Sequence, residues 1–229
     1  MSIANIFKGW IGEKAVQFGI WLKLDKNTYR RYHGLILPTE NGTTQIDHVL
    51  LSIYGIFVIE TKNYGGWIYG GETQREWTQV FFGKKNKFQN PLHQNYKHTK
   101  ALASHLNVAH NKIHSIVMFI GDAELKTEFP PNVLTGGLAA YVKNFKEVVF
   151  DESEIKKIAE ILAAKKDGQN ILSSYKHVKD VKNRYQNSTV CPKCGGELIK
   201  RIAKKGPSAG KEFLGCGNYP KCRYVKELG

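Results

Sequence analysis

Apolar positions recur at helical spacing at the start of the chain, at Ile3, Phe7, Ile11, Ala15, Phe18 and Leu22, which predicts an amphipathic helix over residues 3–24. The period then changes. A short strand at Gly34–Pro38 leads into a polar turn, Glu40-Asn41-Gly42-Thr43. Two β-rich segments follow, Gln45–Ile53 and Ile56–Lys62, and the Tyr54-Gly55 pair between them predicts a tight hairpin. Trp67–Tyr69, set between two glycine pairs, and Trp77–Phe82 add further short strands. Pro91 stands at the head of a helix predicted over Leu92–Leu106, where its missing N–H is no loss. Ile113–Gly121 and Val133–Val142 read as strands, the first apolar enough for the middle of a sheet. Asp151-Glu152-Ser153-Glu154 is a capping-box sequence opening a helix that runs to about Lys166 and stops at Asp167-Gly168. Strands interleaved with helices predict an α/β domain, with helices around a mixed sheet.

Composition sharpens this picture. The 229 residues include 34 Lys and Arg against 20 Asp and Glu, a formal net charge of +14, and 41% are hydrophobic. That apolar fraction supplies a core and rules out wholesale disorder. The longest apolar run, Leu50–Ile59, is about half of a membrane span, and Lys8, Glu13 and Lys14 interrupt the apolar residues near the N-terminus. A cytoplasmic protein without a membrane partner is expected. The charge is uneven: residues 1–168 hold 21 basic and 16 acidic side chains, whereas residues 169–229 hold 13 and 4, with all four cysteines. We therefore expect a first domain over 1–168, a basic linker over 169–189 and a small cysteine domain over 190–229. The positive excess points to an anionic partner, nucleic acid ahead of a membrane surface.

Candidate chemistry concentrates on the hairpin. If Tyr54-Gly55 closes it, Asp47 lies opposite Lys62 and Val49 opposite Glu60, all projecting from one face. Two carboxylates so placed can share a hard divalent cation, and Lys62 beside them can orient a nucleophile and stabilise charge on a phosphate. The competing reading is a cross-strand ion pair on a solvated face. Against it, both segments are otherwise strongly apolar, and buried charges without a metal or a partner are costly. His48 falls on the opposite face and reads as structural, and Trp77 as core. His33, His93, His105, His110 and His114 show no ligand-like grouping. Lys84, Lys85 and Lys87 read as a loop, solvated or touching a nucleic-acid backbone.

Gly12-Glu13, Gln45-Ile46-Asp47-His48, Glu60-Thr61-Lys62 running on to Gly65-Gly66, Trp77 and Asn90-Pro91-Leu92-His93-Gln94 together resemble the nuclease-related domain (NERD) family of the PD-(D/E)XK nuclease superfamily. The resemblance covers roughly residues 8–125. It implies a restriction-endonuclease-like mixed sheet flanked by helices, magnesium or manganese bound by Asp47 and Glu60, and Lys62 assisting attack on a phosphodiester. The Thr61 carbonyl would be a further metal ligand. Glu13 would be an extra acid completing the metal site, or else a helix-surface acid. Gln94 shares a helix face with His98 at i, i+4, either to bond a phosphate or the attacking water or as an exposed polar pair.

The cysteines make a second centre. Cys191-Pro-Lys-Cys194 and Cys216…Cys222 read as a four-thiolate zinc site, and a segment this poor in apolar residues needs a metal to hold it. Two disulfides would require an oxidising compartment. With Phe213-Leu214-Gly215-Cys216 and Tyr219–Tyr224, residues 190–228 resemble the C-terminal zinc ribbons of bacterial type IA topoisomerases, which implies binding of single-stranded DNA. Phe213, Tyr219 and Tyr224 offer stacking faces, unless they only pack the ribbon, while Lys200, Arg201, Lys204, Lys205 and Arg223 can meet phosphates. RNA stays open as a partner. Topoisomerase activity is not expected, since no acidic cluster or tyrosine module accompanies the ribbon. Two functions remain: a metal-dependent DNA nuclease with a DNA-holding ribbon, or a non-catalytic DNA-binding accessory protein built on a nuclease-like fold.

Overall fold

The computed structural model describes residues 24–39, 42–169, 178–179, 189, 191, 196–203, 208–220 and 222–228. The helix expected over residues 3–24 lies outside them except for its last residue, as does most of the expected linker. The described residues divide into two compact units, one holding Gln45–Gly168 with the strand residues up to Leu37, the other Pro38–Thr44 and the residues from Gln169 onward. Among the described residues no helix is long and apolar enough to cross a membrane.

The first unit is mixed α/β. Its elements are β1 (Arg30–Thr39), β2 (Gly42–Ser52), β3 (Gly55–Asn63), β4 (Gly66–Tyr69), β5 (Glu76–Phe81), β6 (Lys84–Gln89), α1 (Pro91–Leu106), β7 (Ile113–Ile120), β8 (Ala123–Leu125), β9 (Val133–Leu134), α2 (Leu138–Lys143) and α3 (Glu152–Asp167). A five-stranded sheet has the order β1-β2-β3-β7-β9, antiparallel between β2 and β3 and parallel from β3 to β7 to β9. A four-stranded sheet has the order β6-β5-β4-β8. Central position explains composition: β3 is buried without a break from Gly55 to Glu60, so Ile56, Phe57, Val58 and Ile59 face apolar neighbours on both sides.

Helix α1 is fixed to the sheet by two asparagines. Asn90 caps it, its Oδ1 accepting from the Leu92 amide at 2.9 Å, while Nδ2 donates to the carbonyls of Gly71, Glu72 and Gln74. Asn95, fully buried, donates through Nδ2 to the Val58 carbonyl (3.0 Å), the Ser115 hydroxyl (2.9 Å) and the Ile116 carbonyl (3.0 Å), tying α1 to β3 and β7. Leu102, Ala103 and Leu106 then bury the helix's apolar stripe in a core shared with Val49, Val58, Ile158 and Leu162. Helix α3 opens with the expected capping box: Asp151 Oδ1 accepts from the Glu154 amide, and Glu154 Oε2 accepts from the Asp151 amide.

Three local expectations change. The hairpin turn is Ile53-Tyr54, because Gly55 is the first paired residue of β3, opposite Ser52. Its φ of +134° and the close approach of the His114 ring, 2.7 Å from where a Cβ would stand, require glycine there for reasons other than a turn. The register consequently moves by two, and continuing the ladder past His48–Ile59 sets Asp47 across from Glu60 rather than Lys62. An even shift leaves every side chain on its original face. Val133–Val142 is not one strand. Gly137, at φ +69°, ends the extended run, and Leu138 and Val142 are buried four residues apart, the spacing of α2. Lys84–Gln89 is a strand although it lacks apolar alternation, since pairing with β5 supplies its order and Phe88 alone packs inward.

The second unit is an antiparallel three-stranded ribbon of β10 (Leu198–Ile202), β11 (Glu212–Cys216) and β12 (Val225–Glu227). Its small core is Cys191, Leu198, Leu214, Cys216 and Cys222, with Tyr224 packed against it.

Candidate nuclease-type site and cysteine centre

Asp47 on β2 and Glu60 on β3 converge with Lys62 and two side chains of α1. The Thr61 amide and hydroxyl both donate to Asp47 Oδ2, at 2.9 and 2.8 Å. Lys62 Nζ donates to Glu60 Oε1 at 2.6 Å and to Gln94 Oε1 at 2.9 Å. On the other side of the Glu60 carboxylate, His98 Nε2 lies 3.2 Å from Oε2. Glu60 is 2% exposed and His98 is buried, so this is an interior polar cluster. Sequence reasoning paired Gln94 with His98 on a helix face, and both residues of that face meet the triad, one through the lysine and one through the glutamate. The contact of His98 with Glu60 was missed. The i, i+4 spacing was its only signal, because no sequence pattern says what a helix face packs against.

The two carboxylates are pushed apart electrostatically. Burial raises the Asp47 carboxyl above the ordinary aspartate value, and the Glu60 charge adds to this, with the Thr61 hydrogen bonds and the Lys62 charge opposing it only in part. Burial also pushes Glu60 up, but hydrogen bonding from His98 and the Lys62 charge outweigh it, and Glu60 ends below its ordinary value. Such separation of neighbouring carboxyls is a common mark of a functional site, although structural ion-pair networks produce it too. The carboxylate oxygens of Asp47 and Glu60 are themselves hard donors, the class that a divalent cation such as magnesium accepts. Thr61 enters through its amide and hydroxyl. Glu13 lies outside the described residues.

Beside the cluster, on the opposite face of β2, His48 Nδ1 sits 2.7 Å from His33 Nδ1 of β1. Burial, and then the neighbouring His33, drive the pKa of His48 down to about 3. It is therefore held neutral, and its partner is His33, a residue with no ligand-like grouping in the sequence.

In the ribbon, the sulfurs of Cys191, Cys216 and Cys222 lie within 4.8 Å of one another and all three are buried. The Cys191 and Cys222 sulfurs are 3.7 Å apart. That is the edge of a tetrahedron with Zn–S bonds of about 2.3 Å, and far beyond a disulfide bond of about 2.0 Å. The Asn218 amide donates to Cys216 Sγ at 3.4 Å, as expected of a backbone turned toward a metal-binding thiolate. Cys194, Lys204 and Lys205 lie outside the described residues. Arg201 pairs across the ribbon with Phe213, and both side chains close over Gly215. Arg223 sits over the exposed Tyr219 ring at 6.0 Å. Lys200 is paired with Glu212 at 2.7 Å, and Tyr224 is half-buried against the ribbon core.

Residues 8–120 match the nuclease-related domain family, and residues 188–229 match the topoisomerase DNA-binding C4 zinc finger family. The chain carries a nuclease-related domain. The site formed by Asp47, Glu60 and Lys62 falls inside that domain, and all four cysteines fall inside the C4 zinc finger. An uncharacterised protein of Bacillus anthracis is 54% identical over 97 residues, which are 42% of this chain and 45% of that protein. DNA topoisomerase 1 of Helicobacter pylori is 34% identical over 100 residues, 37% of this chain and 13% of that enzyme. The Escherichia coli protein YrdD is 51% identical over 43 residues, 19% of this chain and 21% of that protein. The chain thus spans less than half the length of each of these relatives. No solved structure matches it.

Proposed function

We propose that this protein is a magnesium- or manganese-dependent DNA nuclease whose C-terminal zinc ribbon holds DNA, with single strands preferred at the ribbon. The observation that carries it is the convergence of Asp47, Glu60 and Lys62, with Gln94 and His98 braced against them, in the interior of a nuclease-related domain. Asp47, Glu60 and the Thr61 carbonyl would hold the cation, with Glu13 as a further acid for the set. When bound, the cation supplies charge neutralisation of the scissile phosphate and a lower pKa for the attacking water. Lys62 has three N–H donors, of which two go to Glu60 and Gln94. The third is available to a phosphate oxygen, where it stabilises the charge that builds up during attack. By accepting from Lys62, Gln94 holds that ammonium in place and leaves its own amide hydrogens for phosphate or water. His98 holds the Glu60 carboxylate from the side away from Lys62.

The domains of this reading are the nuclease domain over 1–168, a basic linker over 169–189 and the ribbon over 190–229, with zinc on Cys191, Cys194, Cys216 and Cys222. At the ribbon, Phe213, Tyr219 and Tyr224 serve as aromatic surfaces, and Lys200, Arg201, Lys204, Lys205 and Arg223 as phosphate contacts. A thiolate zinc site suits the reducing cytoplasm. The test is cleavage of labelled linear, circular and single-stranded DNA in magnesium, manganese or EDTA, run beside Asp47→Ala, Glu60→Ala and Lys62→Ala. Divalent-dependent cleavage by the wild type, lost in all three variants while DNA binding is retained, supports the proposal. Equal cleavage by wild type and variants overturns it. Tight, salt-sensitive binding without turnover under any divalent metal selects the accessory-protein reading instead.

A further inference from the structure

The four-stranded sheet has one face that neither the carboxylate cluster nor the core uses. Its inner face is core: Ile68, Trp77 and Phe88 pack with Val117 and Phe119. Alternation sends the neighbours of these residues outward. Register aligns them in two rows, Lys85–Val80–Trp67–Glu124 across all four strands and Lys87–Thr78–Tyr69 across three. Trp67 is 47% exposed and Tyr69 36%. Large aromatics on the open face of a short sheet, two residues apart on one strand, are not explained by packing, because the buried Ile68 between them already anchors β4.

We propose that this face is a stacking platform for single-stranded nucleic acid, separate from the ribbon, with Trp67 and Tyr69 receiving bases and Lys85, Lys87 and Lys126 meeting phosphates. Charge favours this occupant over an apolar protein surface. Lys85 and Lys87 are exposed at one side of the aromatics, and Lys126 Nζ lies 5.2 Å from the centre of the Trp67 ring on the other. The face also carries acids. Glu124 holds Lys126 at 2.5 Å and Glu76 ends one edge, so the lysines bias the partner's sign and the aromatics supply the attraction. Spacing selects a single strand. Trp67 and Tyr69 are about 7 Å apart along β4, roughly twice the 3.4 Å rise of bases stacked in a duplex, so both rings are used only when the bases are unstacked. The inference shares the nucleic-acid partner of the proposed function and is independent of hydrolysis.

The test uses the full chain with an oligothymidylate carrying 5-bromodeoxyuridine, cross-linked by ultraviolet light and mapped by peptide mass spectrometry. A cross-link in residues 66–69 is expected, beside any in the ribbon. Trp67→Leu with Tyr69→Leu should abolish it and weaken binding about tenfold or more, as loss of stacked bases does. Trp67→Phe with Tyr69→Phe keeps the ring faces and should restore both. Both substituted residues are exposed, so melting temperatures should match the wild type. Asp47→Ala should keep the β4 cross-link even though it abolishes cleavage, so a failure of the nuclease reading is told apart from a failure of this one. Cross-links confined to ribbon peptides, undiminished affinity of the leucine variant, absence of single-strand binding, or a dimer that the leucine variant dissolves would each overturn the proposal.

Discussion

The carboxylate cluster and the cysteine cluster solve opposite problems. Asp47, Glu60 and Lys62 sit where a large core already exists. Leu50, Phe57, Ile59 and Ile116 are buried on the same sheet, and the carboxylates are met by protein groups: Lys62 and His98 at Glu60, the Thr61 amide and hydroxyl at Asp47. Among the described residues, the ribbon's core has two buried residues besides its cysteines, Leu198 and Leu214, with Tyr224 alongside. So small a core does not offset the entropy of ordering the chain around it. The first region thus has a core of its own around its charges, whereas the ribbon's core is built on its cysteine cluster.

Removing zinc should produce the largest effect. A strong chelator, or Cys216→Ser, should unfold the ribbon outright, since structural zinc supplies on the order of 10 kcal/mol to such modules. Hydrogen exchange should show β10–β12 losing all protection and β3 and α1 keeping theirs. Persistent ribbon protection would erase the contrast. Asp47→Asn comes next and should move two properties in opposite directions. Cleavage should fall by about 100-fold or more, the scale of losing a key electrostatic group. Thermal stability should rise modestly, because the raised Asp47 carboxyl marks an ionised group held at a cost above its folded pKa, and the amide removes that cost. A lowered melting temperature would show that Asp47 is a structural anchor.

Acid should separate the regions again. His48 has a folded pKa of about 3 against an ordinary value of 6.5. In that window the unfolded chain binds the extra proton, so stability falls with falling pH by up to about 1.4 kcal/mol per unit. The groups around this pair are His33 with Lys166 and Arg31 near it, which oppose protonation, and Glu60, which favours it. His33, His105, His110 and His114 are also lowered by burial, so His48→Gln should reduce, without abolishing, the fall of melting temperature between pH 6.5 and 4 in the first unit and leave acid release of zinc unchanged. The smallest effect expected is that of His98→Ala. It should lower cleavage about tenfold, the scale of one hydrogen bond to a charged group, with His98→Gln recovering part of the loss. Equal activity of His98→Ala and wild type would restrict Glu60's support to Lys62.

Much of this was legible in the sequence, for identifiable reasons. Asp47, Glu60 and Lys62 were visible because charged residues inside apolar β segments stand out, and the four cysteines because their spacing is chemical. The register was misjudged because glycine beside a gap usually signals the turn, while Gly55 serves the approach of His114. The His33–His48 pair was invisible because it joins two strands across 15 residues of sequence, and one-dimensional periodicity cannot say which strands become neighbours. Trp67 and Tyr69 were legible only as a strand. Their exposure depends on which face the second sheet turns to the core, and Ile68, Trp77 and Phe88 decide that together.

Asn95 has a consequence for how this domain tolerates change. Gln94 and His98 reach Lys62 and Glu60 from one face of helix α1, and a slide of one residue, about 1.5 Å with a 100° change of face, would take both out of reach. Apolar side chains such as Leu102 and Leu106 resist separation from the sheet but are poor at fixing position along it. Asn95, gripping one carbonyl of β3 and one of β7 together with a hydroxyl, acts as a detent that fixes the helix along the sheet and so keeps Gln94 and His98 in their places.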